Sequence, residues 1–149
     1  MKRILYIAFI TAVICIFFTR LNASEVPQII KINITANNNT AVFELNGSAA
    51  AQDLYRQLPL SITVKDYGNN EKIFYPPKKL EIGGTPLADA KSGTLAYYAP
   101  WGNVVIFYKN FGRASGLYEL GYAVSGSEYI REMSGTILIE KAVAHKNQK

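Results

Sequence analysis

The stretch Gly93-Thr94-Leu95-Ala96-Tyr97-Tyr98-Ala99-Pro100-Trp101-Gly102-Asn103-Val104-Val105-Ile106-Phe107-Tyr108 constrains this chain more than any other. Two β-branched and aromatic runs flank Pro100-Trp101-Gly102, and runs of that kind around a Pro/Gly turn read as a hairpin. A strand sends successive side chains to opposite faces, so Tyr97 and Tyr98 must diverge, and so must Phe107 and Tyr108. One of each pair can line a core while its neighbour faces outward. The stretch holds five aromatic residues, including the only Trp of the chain. It therefore builds a core, an aromatic groove, or both.

The rest of the chain is also short strands between turn signals. Gln28 to Ile34 places Ile30, Ile32 and Ile34 on one face, Asn37-Asn38-Asn39 turns, and Ala41 to Leu45 returns with Ala41, Phe43 and Leu45 facing one way. The period then changes. Ser48 is placed to cap a helix from Ala49 to Leu58, with Ala50, Leu54 and Leu58 as its apolar stripe and Pro59 as its stop. Leu60 to Tyr67 is a strand with Leu60, Ile62 and Val64 inward. Gly68-Asn69-Asn70 turns into Lys72 to Tyr75, and Pro76-Pro77 ends that strand. Lys78 to Ser92 reads as a long loop with a short strand at Leu80 to Ile82. After the central hairpin and a Gly-punctuated loop over 109–116, Leu117 to Val124 is a strand. Ser125 and Glu128 form a capping-box pattern for a short helix from Gly126 to Met133, with Gly135 as its C-cap. Thr136 to Lys141 is the last strand, and a polar tail follows from Ala142 to Lys149. Some eight short strands with two helices at their crossings predict a mainly β fold: a closed barrel capped by short α-helices, which hides the strand edges.

The N-terminus is read separately. Lys2 and Arg3 precede an apolar run from Ile4 to Phe18, and Asn22-Ala23-Ser24 supplies small residues, the order of a secretory signal cleaved after Ala23. The rival is a retained anchor over residues 4–18, although that run falls short of the roughly 20 residues that span a bilayer. Residues 1–23 are thus expected to be a signal and 24–141 a single exported domain, periplasmic or secreted. Removing Lys2, Arg3 and Arg20 takes the 16 basic residues to 13 against 11 acidic ones, a net charge of +2. With no dense basic cluster left, nucleic-acid binding is not expected, and membrane contact is expected only through the N-terminal segment. Cys15 is the only cysteine and lies within the apolar run, so the exported domain has no disulfide and its core alone must hold it.

The same count excludes several chemistries. His145, in the tail, is the only histidine, so the barrel can build no His-based triad and no His zinc site. No metal and no cofactor are expected. Asp66, Glu71, Glu81 and Asp89 are scattered and read as solvated surface carboxylates. The aromatic set remains. Its bland reading is core packing; its sharper reading is a groove lined by Tyr75, Tyr98, Trp101, Phe107 and Leu117 that accepts a peptide or small apolar ligand.

Several segments together resemble the bacterial cyclophilin-like domain family: Leu58-Pro59-Leu60, Asp66-Tyr67-Gly68-Asn69-Asn70-Glu71-Lys72, the run from Gly93 to Asn103, Phe107-Tyr108-Lys109-Asn110-Phe111-Gly112, and Gly135-Thr136-Ile137-Leu138-Ile139-Glu140. The resemblance covers about residues 28–141. It implies an eight-stranded cyclophilin-type barrel with two capping helices. Cyclophilins proper are prolyl isomerases that use an arginine beside an apolar proline pocket. The strand where that arginine would fall, Leu60 to Tyr67, offers Lys65 instead, and the Phe-x-x-Gln partner is missing. Phe107 matches a pocket phenylalanine, and Arg113 could reach a groove from its loop. The resemblance thus carries the fold, with a monomeric binding module as the first functional reading. The alternatives are a prolyl isomerase using Arg113 as an atypical electrostatic residue, and an enzyme on an unrelated small substrate.

Overall fold

The computed structural model describes residues 29–143. The expected signal or anchor and the tail from residue 144 lie outside them. Eight strands close into an antiparallel barrel in the order β1-β2-β7-β5-β6-β4-β3-β8. They are β1 (Ile30–Ala36), β2 (Asn39–Leu45), β3 (Leu60–Tyr67), β4 (Glu71–Phe74), β5 (Thr94–Tyr98), β6 (Asn103–Phe107), β7 (Leu117–Ser125) and β8 (Gly135–Lys141). The expected eight-stranded mainly β barrel with two helices is the fold observed. Among the described residues, no helix is long and apolar enough to cross a membrane.

The alternation in sequence becomes the inside of the barrel. Ile32 and Ile34 of β1, Ala41 and Phe43 of β2, and Ile137 and Ile139 of β8 are fully buried in one core with Phe74, Leu95, Val104, Ile106 and Leu120. Tyr97 joins them from β5, as the hairpin pattern requires, and its Oη accepts from the Leu80 N–H at 3.3 Å. Helix α1 (Ala49–Arg56) starts where expected, with Ser48 Oγ accepting from Ala51 N–H at 3.4 Å, and buries Ala50, Ala51 and Leu54. It ends two residues earlier than predicted, at a Gln57 cap, because Gln57 N–H bonds back to Leu54 and Leu58 N–H to Tyr55 in a tightened last turn.

Two expectations are corrected. No strand forms at Leu80 to Ile82, because the donors a strand would use are taken by side chains: Leu80 N–H by Tyr97 and Glu81 N–H by Asp53 Oδ2 at 2.7 Å. The loop instead bridges β7 at Leu87↔Tyr118 and the 109–116 loop at Ala90↔Gly112. The second helix is a 3-10 helix, Ser127–Glu132. Ser125 remains in β7 opposite Val42, so the capping box is not made, and Gly126 takes the cap position with φ 70°. Its bonds run three residues back, Tyr129 to Gly126 and Met133 to Ile130. Gly135 opens β8 rather than capping a helix. Ile130 and Met133 pack into the barrel core.

Candidate functional site

The candidate site lies on the outer face of the barrel, where the register of five neighbouring strands sets side chains in three rows. The first row is Leu117 (β7), Tyr98 (β5) and Asn103 (β6). The second is Ala96 (β5), Val105 (β6), Ile73 (β4) and Lys65 (β3). The third is Phe107 (β6), Glu71 (β4) and Tyr67 (β3). Lys65, Ile73, Ala96, Tyr98, Asn103, Val105 and Phe107 each sit next in the chain to a residue of the barrel core, so one alternation builds both faces.

The outer face is not left to solvent. Ile73, Ala96, Val105, Phe107 and Leu117 form a second apolar cluster with Ala88 and Ala90. Two loops cover it and hold each other. Ala90 N–H donates to Gly112 O at 2.8 Å, and the N–H groups of Phe111 and Gly112 donate back to Ala90 O at 2.9 and 2.8 Å. Ser92 Oγ donates to Tyr108 O and Asn110 Oδ1 accepts from Ser92 N–H, both at 3.1 Å. The long Gly/Pro-rich loop thus positions the 109–116 loop against the sheet. Phe111 from that loop stacks on Phe107 with ring centroids 5.2 Å apart.

A cavity of about 310 Å³ remains between loop and sheet. Ile73, Val105, Phe107 and Leu117 of the sheet line it with Phe111 and Ala114 of the loop and with Tyr67, Tyr98 and Trp101. Trp101 reaches from the β5–β6 turn to meet both tyrosines edge-on, at 5.2 Å from Tyr67 and 5.4 Å from Tyr98. That geometry suits ring quadrupoles and ties the wall together. The ring remains 49% exposed.

Four of the five groove residues read from sequence, Tyr98, Trp101, Phe107 and Leu117, therefore line one cavity. Tyr75 does not. It follows the end of β4, is 52% exposed and stands outside the lining. Arg113 pairs with Asp89 at 3.3 Å on the surface, with its side chain 80% exposed, and is likewise not in the lining. Lys65 shares the second row but is exposed and outside the cavity.

Two polar residues were missed by sequence reasoning. Asn103 is 1% exposed, and its Oδ1 has no hydrogen-bond partner among the described residues. Glu71, read as a solvated carboxylate, is 9% exposed, and its burial pushes its carboxyl above the ordinary glutamate range. Its neighbour Lys72 offers no relief, because β4 alternation sends that side chain to the other face, where its Nζ meets Asp66 at 2.6 Å. The one legible signal was the strand pattern: any residue two positions from Ile73 or Val105 must share their face.

The direction at Glu71 fixes a pH dependence. A carboxyl whose folded pKa lies above its unfolded one binds more protons folded than unfolded, so stability declines as pH rises through the interval between the two values. Asp53 acts with the opposite sign. Its pKa is lowered by the Glu81 N–H bond and by Arg56, so its contribution is present above the unfolded aspartate value and lost in acid. Glu71→Gln is expected to remove the decline on the alkaline side of the glutamate range and leave the acid limb; denaturant midpoints measured across about pH 2 to 8 read this, roughly the span in which perturbed aspartates and glutamates titrate.

Residues 34–140 match the model of a family described as the Cyclophilin-like family. Among solved structures, the fold is similar to the solution structure of a hypothetical protein from Archaeoglobus fulgidus, at 16% identity and TM-score 0.60, covering 80% of this chain and 99% of that one. It is also similar to the crystal structure of the Mimivirus cyclophilin, at 12% identity and TM-score 0.48, covering 80% of this chain and 92% of that one. No curated protein matches the sequence.

Proposed function

The chain belongs to the cyclophilin-like family, and from that premise we propose that it is an exported, monomeric binding module that takes a peptide or small apolar ligand into the outer-face cavity. One observation carries this reading: an aromatic-walled cavity of about 310 Å³ with further apolar residues and two buried polar side chains in its lining. Ligand sites have that composition and begin at about that size. The order of basic, apolar and small residues at the N-terminus supports export. The isomerase alternative draws no support from the cavity, since among the described residues no arginine or lysine lines it.

Trp101→Ala tests the reading. The ring is half exposed and holds its place by two edge contacts, so its removal is expected to lower stability by only about 1–3 kcal/mol, at roughly 0.5–1.5 kcal/mol per aromatic pair. The same change opens the wall and should weaken binding of an apolar amide such as octanamide by about tenfold or more, as seen for central aromatic anchors. Calorimetric titration of parent and variant reads this. Equal affinity in both would remove the cavity from the function.

A further inference from the structure

We infer that the cavity takes an apolar molecule ending in a protonated amine, with the amine seated on the carboxylate of Glu71. This rests on the reading of the cavity as a ligand site and names the charge of the ligand that site prefers. The register places Glu71 of β4 directly opposite Tyr67 of β3 on one side and Phe107 of β6 on the other. All three line the cavity, so the carboxylate belongs to its wall and has an aromatic side chain on either flank.

That carboxylate is both unpaired and reachable. Among the described residues it has no cationic partner and no hydrogen bond, and burial is the one influence on its pKa. Among the same residues, Asn103 Oδ1 is the only buried side-chain oxygen that lacks a partner and is also sealed from the surface. The Glu71 oxygens lack a partner too but are not sealed, so they keep accessible surface, and the space their residue lines is the cavity.

A carboxylate desolvated without compensation is costly, and a cationic N–H is the donor that offsets this best. The protein's own cations do not supply one. Lys72 lies on the other face of β4 with Asp66, Arg113 pairs with Asp89 on the surface, and Lys65 is exposed outside the cavity. An anionic ligand would meet a like charge with no counter-ion in the lining. The ring of Tyr67 beside Glu71, joined edge-on to Trp101, adds an aromatic surface that attracts cations. The apolar stem of the ligand then rests on Ile73 and Val105, which neighbour Glu71 and Phe107 on the same outer face.

The test compares octylammonium, octanamide and octanoate, three ligands of one chain length and three charges, against the full chain. Binding is followed through Trp101, the only tryptophan in the sequence. At pH 7 octylammonium is expected to bind about tenfold tighter than octanamide, with octanoate weakest; a tenfold ratio is about 1.4 kcal/mol. Glu71→Gln keeps the shape of the side chain and removes its charge, and should erase the preference for octylammonium over octanamide. Asp89→Asn removes the same charge outside the cavity and should preserve that preference; its loss there as well would assign the effect to net charge and overturn the inference. The parent decides the matter even if Glu71→Gln fails to fold. Octanamide or octanoate binding to it as tightly as octylammonium would overturn the inference while leaving the cavity a ligand site. Binding of none of the three would overturn both.

Discussion

Alanine at position 121 is expected to destabilise the barrel by about 3 kcal/mol or more, at the upper end of what forced overpacking costs. Gly121 lies in β7, bonded to β2 on one side and β5 on the other. A Cβ there would stand 2.0 Å from the carbonyl oxygen of Glu44 and 2.9 Å from its carbon. Those atoms are strand backbone, so no side-chain rotation can relieve the contact. β2 would have to withdraw by more than an ångström, in a segment where Asn46 N–H and Nδ2 donate to Leu120 O and Glu119 O, both at 2.8 Å. Gly126 repeats the situation five residues on, where a Cβ would stand 2.3 Å from Thr40 O. Both glycines thus sit where β7 is pressed against β2, close approaches that a closed, strongly curved sheet requires. Urea unfolding of Gly121→Ala reads the effect, with Gly47→Ala as a control where a Cβ meets nothing within 4 Å and only the positive φ resists. A Gly121 variant no weaker than the control would contradict the closeness of that seam.

What was legible in the sequence was the part set by alternation. Ile32, Ile34, Phe43, Ile137 and Ile139 could be placed inside because a period of two leaves no other arrangement once one face is buried. Tyr97 and Tyr98 were separable for the same reason. Tyr75 was misplaced because β4 ends at Phe74, and beyond a strand end alternation no longer dictates direction. Leu80 to Ile82 failed because Tyr97 and Asp53 reach it from 17 and 28 residues away, and such side-chain bonds leave no local pattern. Glu71 and Asn103 were overlooked because polar residues on an outward face are normally solvated. Loops clasped to each other at Ala90 and Gly112 roof that face, and loop pairing of this kind is invisible to periodicity.

Phe107→Ala is expected to cost about 3–5 kcal/mol, the range for deleting a buried aromatic ring, and to abolish ligand binding as well. The sequence posed core and groove as alternatives for this residue; the structure makes it both. Phe107 points to the outside of the barrel yet is 1% exposed, because the 109–116 loop brings Phe111 over its ring. Its removal takes away the partner on which that loop rests and merges the vacated space with the ligand cavity. The roof should then loosen, so faster amide exchange at Phe111 and Gly112, whose N–H groups bond to Ala90 O, is expected along with the lost stability. Phe107→Leu separates the two roles. It keeps most of the apolar volume and should recover much of the stability. It cannot restore the flat ring against Phe111, so affinity for an apolar ligand should stay reduced. Trp101→Ala should show the same imbalance, with stability lowered by only about 1–3 kcal/mol and binding weakened by about tenfold or more. If Phe107→Ala instead unfolded at the parent's denaturant midpoint, the outer cluster would contribute nothing to the fold. The loop would then be free to move without Phe107, and the cavity could not be a preformed site.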